Sequence, residues 1–172
     1  MISIIIPTYN NSQQLVGTVQ SISKQSYNDI EIVIIDDAST DDTKNQIEKL
    51  NNQKIKYYYN IDNLGTTQSR LKGLKHASGE YIAFLDHDDS WANDKLAIQH
   101  EYLKSKRLDF VISNYAVHDL VNNNHYVRNM SAFAKDFQYN IIEKPGPFFQ
   151  CCLFKKEFLI NNIDSFDSQS EP

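Results

Sequence analysis

Gly79-Glu80-Tyr81-Ile82-Ala83-Phe84-Leu85-Asp86-His87-Asp88-Asp89 carries, in eleven consecutive positions, the pattern that organises this sequence. Residues 81–85 are an apolar run, short enough for a strand and without a polar face, so the strand they predict is covered on both sides. Gly79 stands where it can stop a preceding helix, and three aspartates follow the strand. The same order recurs upstream. Residues 3–6 form an aliphatic run closed by Pro7 and followed by Thr8-Tyr9-Asn10, and residues 31–35 form another followed by Asp36-Asp37-Ala38-Ser39. Residues 55–59 are a weaker, tyrosine-rich strand placed nearer an edge, with Asn63-Leu64-Gly65 beyond it. Helical spacing fills the gaps. One helix starts at Asn11 or Ser12 and lines up Leu15, Val19 and Ile22; a second starts at Asp42 or Thr43 with Ile47 and Leu50 inward. A third covers 66–76 with Leu71 and Leu74 buried, and a fourth 93–104 with Leu96 and Leu103. Strand then helix, four times in succession, predicts an α/β fold: a Rossmann-like, mostly parallel sheet with helices on both faces.

A fifth strand is expected at 110–115. The remainder changes character: a hairpin around Asn122-Asn123-Asn124, a break at Pro145-Gly146-Pro147, a strand at 148–154 and a short helix at 156–161. This part reads as an elaboration of the sheet, so residues 1–172 are taken as one domain, with 1–115 the ligand-binding half and 116–172 the start of a second half. The chain has 172 residues, a one-domain length. With 17 basic against 22 acidic residues the net charge is −5, which argues against a nucleic-acid partner because no cationic excess exists to displace counterions. The apolar runs fall far below the roughly 20 residues of a membrane span, and the first lacks the basic front of a signal peptide. Cys151 and Cys152 are adjacent and build neither a disulfide framework nor a metal knuckle; they read as core residues in a reducing, cytoplasmic setting. The five glycines form no glycine-rich turn of the kind a nicotinamide dinucleotide needs.

In an open parallel sheet, ligands bind beyond the carboxyl ends of the strands. Asp36, Asp37, Asp86, Asp88 and Asp89 converge on that rim. Left unpaired they repel one another, so a cation is expected in use. Magnesium or manganese suits the oxygen donors, since such ions take one or two protein carboxylates and complete their shell with water and phosphate. Alternate residues of an extended segment face one way, which would bring Asp86 and Asp88 to one site. Asp89 reads as a helix cap, His87 as a packing residue, and Asp41 and Asp42 as partners of the next helix's positive end. Tyr9 offers a face for a base, Asp37 an acceptor for a ligand N–H, and Arg70 a cation for a phosphate or for the carboxylates.

Taken together, these stretches resemble the bacterial family 2 glycosyltransferases, whose fold is called GT-A. The residues that match are 3–10 (Ser3-Ile4-Ile5-Ile6-Pro7-Thr8-Tyr9-Asn10), 31–41, Asn63-Leu64-Gly65, Arg70, Gly73 and 79–89. The resemblance implies an inverting transferase that moves a sugar from a nucleoside diphosphate, here a UDP-sugar, to a glycan or lipid-linked acceptor. It implies that Pro7, Thr8, Tyr9 and Asp37 surround the nucleoside. Arg70 would lie by the base or diphosphate, Asp86 would face the ribose or sugar, and Asp88 would hold the manganese or magnesium ion. A lipid-linked acceptor would bring the protein to the inner face of the cell membrane. Leu71 departs from the asparagine that many relatives carry after the arginine. The family's catalytic base, in a Glu-Asp pair, is expected two or three residues past Pro172, with Glu171 the nearest carboxylate. On this reading residues 116–172 begin a truncated acceptor-side half, in which Phe148 to Cys152 would border the acceptor site. The competing expectations are a nucleotide-sugar-binding module without the base and, from another class, a metal-dependent phosphatase using Asp86 and Asp88.

Overall fold

A strand made of consecutive aliphatic residues has no face for water and must lie inside a sheet covered on both sides. The computed structural model describes residues 1–119, 124–130 and 148–162, and in it β1 (Ile2–Thr8) and β2 (Ile30–Asp36) are buried at every position. They are followed by β3 (Ile55–Tyr59) and β4 (Tyr81–Phe84), with α1 (Ser12–Ser23), α2 (Thr43–Lys49) and α3 (Gly65–His76) as the crossovers. Then come α4 (Lys95–Lys106), β5 (Phe110–Ile112), β6 (Tyr115–Asp119), β7 (Asn124–Arg128), α5 (Phe148–Cys151), β8 (Cys152–Lys155) and α6 (Lys156–Asn161). The six-stranded sheet runs β3-β2-β1-β4-β8-β5, parallel through its first four strands, with β8 antiparallel to both neighbours. β6 and β7 pair as a separate hairpin, and the asparagines predicted at its tip, 122–123, lie outside the described residues.

The two-residue period of β1 and β2 divides the core. Ile2, Ile4, Ile6, Ile32 and Ile34 meet Leu15, Val19 and Ile22 of α1, Ile47 of α2, and Leu96 and Leu103 of α4. Ile5, Val33, Ile35, Ile82 and Phe84 meet Leu74 and Ala77 at the end of α3 and Leu159 of α6. Helices therefore cover both faces, as expected. Pro7 is tolerated inside β1 because Ile5 and Pro7 turn their polar edges toward β4. The Ile5 carbonyl accepts the Leu85 amide at 3.0 Å, and the β1–β4 register ends at Ile5–Phe84, so Pro7 has no ladder partner to lose.

Four expectations change. Leu71 is only half-buried; beside Leu74, α3 meets the sheet at Gly73, where a Cβ would overlap the Ile5 side chain. Gly79 does not stop α3, which ends at His76; it lies under the start of β1, where a Cβ would stand 2.7 Å from the Ser3 amide nitrogen and 2.8 Å from the Met1 carbonyl. The strand from 110 ends at Ile112, because the Ser113 amide donates to the Cys151 carbonyl and the Asn114 side chain accepts the Met130 amide, turning the chain out of the sheet. Residues 148–151 are a helical turn rather than strand: the Trp91 side chain takes the Gln150 carbonyl, and the Gln99 side chain shares the Cys151 carbonyl with the Ser113 amide.

At the amino end of the sheet, away from the strand ends that hold the aspartates, Glu31 is 5% exposed. Its carboxylate accepts the Ser3 hydroxyl and the Ser78 amide, each at 2.5 Å, and pairs with Lys56 at 2.6 Å. Burial opposes its ionisation, yet those donors outweigh it and bring the pKa down to about 2. A folded-state pKa below the ordinary 4.5 stabilises the protein fully above that pH and is lost as pH falls through about 2. Urea unfolding between pH 6 and pH 2 should therefore show wild type losing on the order of 2 kcal/mol more than Glu31→Gln over the acid limb; parallel acid limbs would contradict this.

Candidate functional site

Because β1, β2 and β4 are parallel, the residues after each leave the sheet at the same rim. There they line a cleft of about 240 Å³ made of Pro7, Thr8, Tyr9, Asp37, Thr66, Ser69, Asp86, His87 and Asp88. β1 delivers the first three, β2 delivers Asp37, the first turns of α3 deliver Thr66 and Ser69, and β4 delivers the acidic turn. The turns after β1 and β2 are tied to each other. Asn10 and Ala38 both adopt left-handed backbone, with φ of 48° and 69°. The Asn10 amide donates to Ser39 Oγ at 2.9 Å and its Oδ1 accepts the Thr40 amide at 2.7 Å. Asp41 accepts the amides of Ser12 and Thr43, each at 3.1 Å, and so serves the first turns of both α1 and α2. Asp42 instead bonds the side chains of Asn45 and Gln46.

The five rim carboxylates have different fates. Asp36 is buried and accepts the Tyr57 hydroxyl and the Ser39 amide. Asp37 is also buried; its Oδ1 accepts Asn60 Nδ2 at 2.6 Å and the Leu64 amide at 2.9 Å, and its Oδ2 the Gly65 amide at 2.8 Å. Burial works against its charge, but these donors win and its pKa is lowered. Asp86 is gripped on both oxygens: Arg70 Nη2 reaches Oδ1 at 2.5 Å and the Gln150 amide NH2 reaches Oδ2. Arg70 thus stands behind the cleft and acts on it through Asp86, with its guanidinium 5.6 Å from the Phe149 ring centroid. Asp88 is exposed and has no hydrogen bond or ion pair to the described residues. Asp89 caps no helix, since α4 begins at Lys95 after Asp94. Desolvation, then the charges of Asp88 and Asp86, raise the pKa of its carboxyl. The expected charge crowding is real but narrower than five groups, because protein donors settle three of them.

Asp86 and Asp88 reach the cleft through a turn rather than an extended run, the Asp89 amide donating to the Asp86 carbonyl at 3.2 Å. His87 packs as expected, its Nδ1 3.3 Å from the Pro7 carbonyl and its own carbonyl accepting Thr18 Oγ1. Tyr9 is 47% exposed at the mouth, its ring available for stacking. The resemblance set Phe149 and Gln150 only at the border of an acceptor site, not on Asp86, and sequence reasoning did not find Trp91, which arrives from a distant segment with no local pattern to mark it. Thr66 and Ser69 were missed as well; their polar i, i+3 spacing at the start of α3 is the signal that could have found them. Glu171, like all of 163–172, lies outside the described residues.

Three buried polar atoms find no partner among the described residues: Thr8 Oγ1, Arg70 Nε and Gln150 Oε1. All three belong to this cleft or to the grip on Asp86, and such orphans are costly unless a ligand or water satisfies them. No group of three or more His, Cys, Asp or Glu side chains among the described residues is arranged to cage a metal ion. The donor set nonetheless fits a magnesium-like cation, which takes one or two carboxylates and draws its other oxygens from a phosphate ligand and water. No helix of the described residues is long and apolar enough to cross a membrane.

The sequence model of glycosyl transferase family 2 matches residues 3–162. Among curated proteins, the Escherichia coli UDP-Glc:alpha-D-GlcNAc-diphosphoundecaprenol beta-1,3-glucosyltransferase WfaP is 40% identical over 117 residues, covering 68% of this chain and 47% of that protein. WfgD of the same organism, with the same described activity, is 34% identical over 144 residues, covering 84% and 55%. The chain spans about half the length of these relatives. Among solved structures, Staphylococcus aureus TarS 1-349 in complex with UDP-GlcNAc superposes with a TM-score of 0.71 at 23% identity, covering 94% of this chain and 47% of that one. The mannosyltransferase PcManGT from Pyrobaculum calidifontis, in complex with GDP-Man and Mn2+, gives 0.69 at 23%, covering 93% and 46%. At these identities the superpositions establish a shared GT-A fold.

The hold of Asp37 on the start of α3 is testable by itself. Asp37→Asn turns an NH2 toward backbone donors and should cost about 1–3 kcal/mol of stability, with faster amide exchange at Leu64 and Gly65. Unchanged exchange at those two amides would contradict the assignment.

Proposed function

Because this chain belongs to glycosyl transferase family 2, we propose that its cleft binds the donor of a sugar transfer, a nucleoside diphosphate sugar of the UDP class, for delivery to a glycan or lipid-linked acceptor. The observation that carries this reading is the pairing of Asp86, fixed on both oxygens, with Asp88, exposed and uncommitted, in one cleft with Tyr9 and Asp37. Each residue then has a task its chemistry suits. Tyr9 stacks on the base. Asp37, held charged by the Asn60 and Ser69 side chains and the Leu64 and Gly65 amides, presents a carboxylate acceptor for a uracil N–H. Pro7 and Thr8 form the wall beside the nucleoside. Asp86, oriented by Arg70 and Gln150, faces a ribose or sugar hydroxyl.

Asp88 is the residue that would hold a manganese or magnesium ion against the diphosphate. When bound, such an ion neutralises the charge that grows on the departing diphosphate. An acceptor hydroxyl attacking from the face opposite the leaving group would invert the anomeric carbon, with a carboxylate base removing its proton. The names of the Escherichia coli relatives, which specify a diphosphoundecaprenol-linked acceptor, support a lipid-linked acceptor, and such an acceptor would bring the protein to the inner face of the cell membrane.

Calorimetry with UDP and manganese tests the donor site. Wild type should bind UDP more tightly with manganese than without, and Asp88→Ala should lose about tenfold or more in affinity together with the manganese dependence. Equal affinity in both proteins would reject the role of Asp88, and no binding of UDP by wild type would reject the donor site itself.

A further inference from the structure

The grip on Asp86 comes from two sides, and the second side is unlike the first. Arg70 lies on α3, in the crossover immediately preceding β4. Gln150 lies in α5, beyond the separate hairpin, and is brought to β4 because β8 inserts beside it. The turn is pinned from behind: Trp91 Nε1 donates to the Gln150 carbonyl at 3.2 Å and Gln99 Nε2 to the Cys151 carbonyl at 2.7 Å. With its backbone held, the Gln150 side chain has a defined reach.

A carboxylate only accepts hydrogen bonds, so the amide group facing Asp86 must be the NH2. That orientation leaves Gln150 Oε1 pointing elsewhere, buried and without a partner, as Arg70 Nε and Thr8 Oγ1 also are. The first of these accepts, the second donates and the third does both. Gln150 Oε1 needs a donor: it would repel a phosphate oxygen, whereas a hydroxyl can donate to it.

We propose that Gln150 reads a carbohydrate hydroxyl of the bound donor: its NH2 orients Asp86 while its oxygen accepts a hydrogen bond from that hydroxyl. This inference rests on the donor-site reading above. The hydroxyl belongs either to the ribose or to the transferred hexose, and the two sources separate by experiment.

Calorimetry in manganese with UDP-glucose, UDP and 2′,3′-dideoxy-UDP compares wild type with Gln150→Met, which keeps length and packing but has no amide. If the hexose hydroxyl is read, the variant loses about tenfold for UDP-glucose and little for UDP. If the ribose hydroxyl is read, it loses about tenfold for both and nothing for the dideoxy compound. Either pattern supports the proposal. Equal loss for all three ligands marks a merely structural role and overturns it, as does no loss for any. Trp91→Phe, which removes only the indole donor that pins the turn, should weaken the same ligands in the same order by a smaller factor, and keeps the test available if Gln150→Met does not fold. Wild type failing to bind UDP-glucose would instead remove the donor-site reading, and this proposal with it; wild type binding while both variants bind equally well removes this proposal alone.

Discussion

Negative charge collected at the ends of parallel strands is the constraint around which this cleft is arranged. The middles of β1 and β2 are aliphatic and both strands are buried on both faces, so their polar chemistry gathers toward their ends. Aspartates placed there in a low-dielectric edge would repel one another strongly. The protein answers with its own donors at Asp36, Asp37 and Asp86, drawing on a tyrosine hydroxyl, backbone amides, an arginine and a glutamine. Asp88 and Asp89 are left outside this settlement, and Asp89 is harder to ionise because of desolvation and then the charges of Asp88 and Asp86. A site with fixed inner carboxylates and an exposed, uncommitted Asp88 in its lining is suited to a ligand that brings its own phosphate charge and shares a cation with the protein.

The two ends of the sheet divide the work. At the amino end, Glu31, Ser3, Ser78 and Lys56 form a saturated network, and Gly79 lets the chain pass close under β1. Nothing there is left without a partner among the described residues. At the carboxyl end, three polar atoms are buried and unsatisfied. Saturation favours stability and incomplete satisfaction favours ligand binding, and the contrast in one sheet supports the proposal of a ligand at the carboxyl end.

Much of this was legible in the residues themselves. The four strand–helix units and the rim positions Pro7, Thr8, Tyr9, Asp37, Asp86 and Asp88 follow from local patterning plus the rule that open sheets bind at their strand ends. What escaped was non-local. Gln150 meets Asp86 across 64 positions, through a strand that enters the sheet antiparallel, and no periodicity signals such a meeting. Residues 148–151 look strand-like because they are apolar, yet Trp91 and Gln99 take their carbonyls and turn them into a helical corner. Gly79 looked like a helix stop, and Leu71 like a core residue, because spacing alone cannot show which side chain a crossing strand excludes; Ile5 excludes any at Gly73.

On the proposed reading a divalent cation and a nucleoside diphosphate meet at Asp88. Paramagnetic broadening of backbone amide resonances by manganese reads that meeting directly. With UDP present, broadening should centre on residues 86–89 and reach Thr8 and Tyr9, while the amides around Glu31 stay sharp and Asp88→Ala abolishes the effect. Broadening centred anywhere else, or unchanged in Asp88→Ala, would contradict the account.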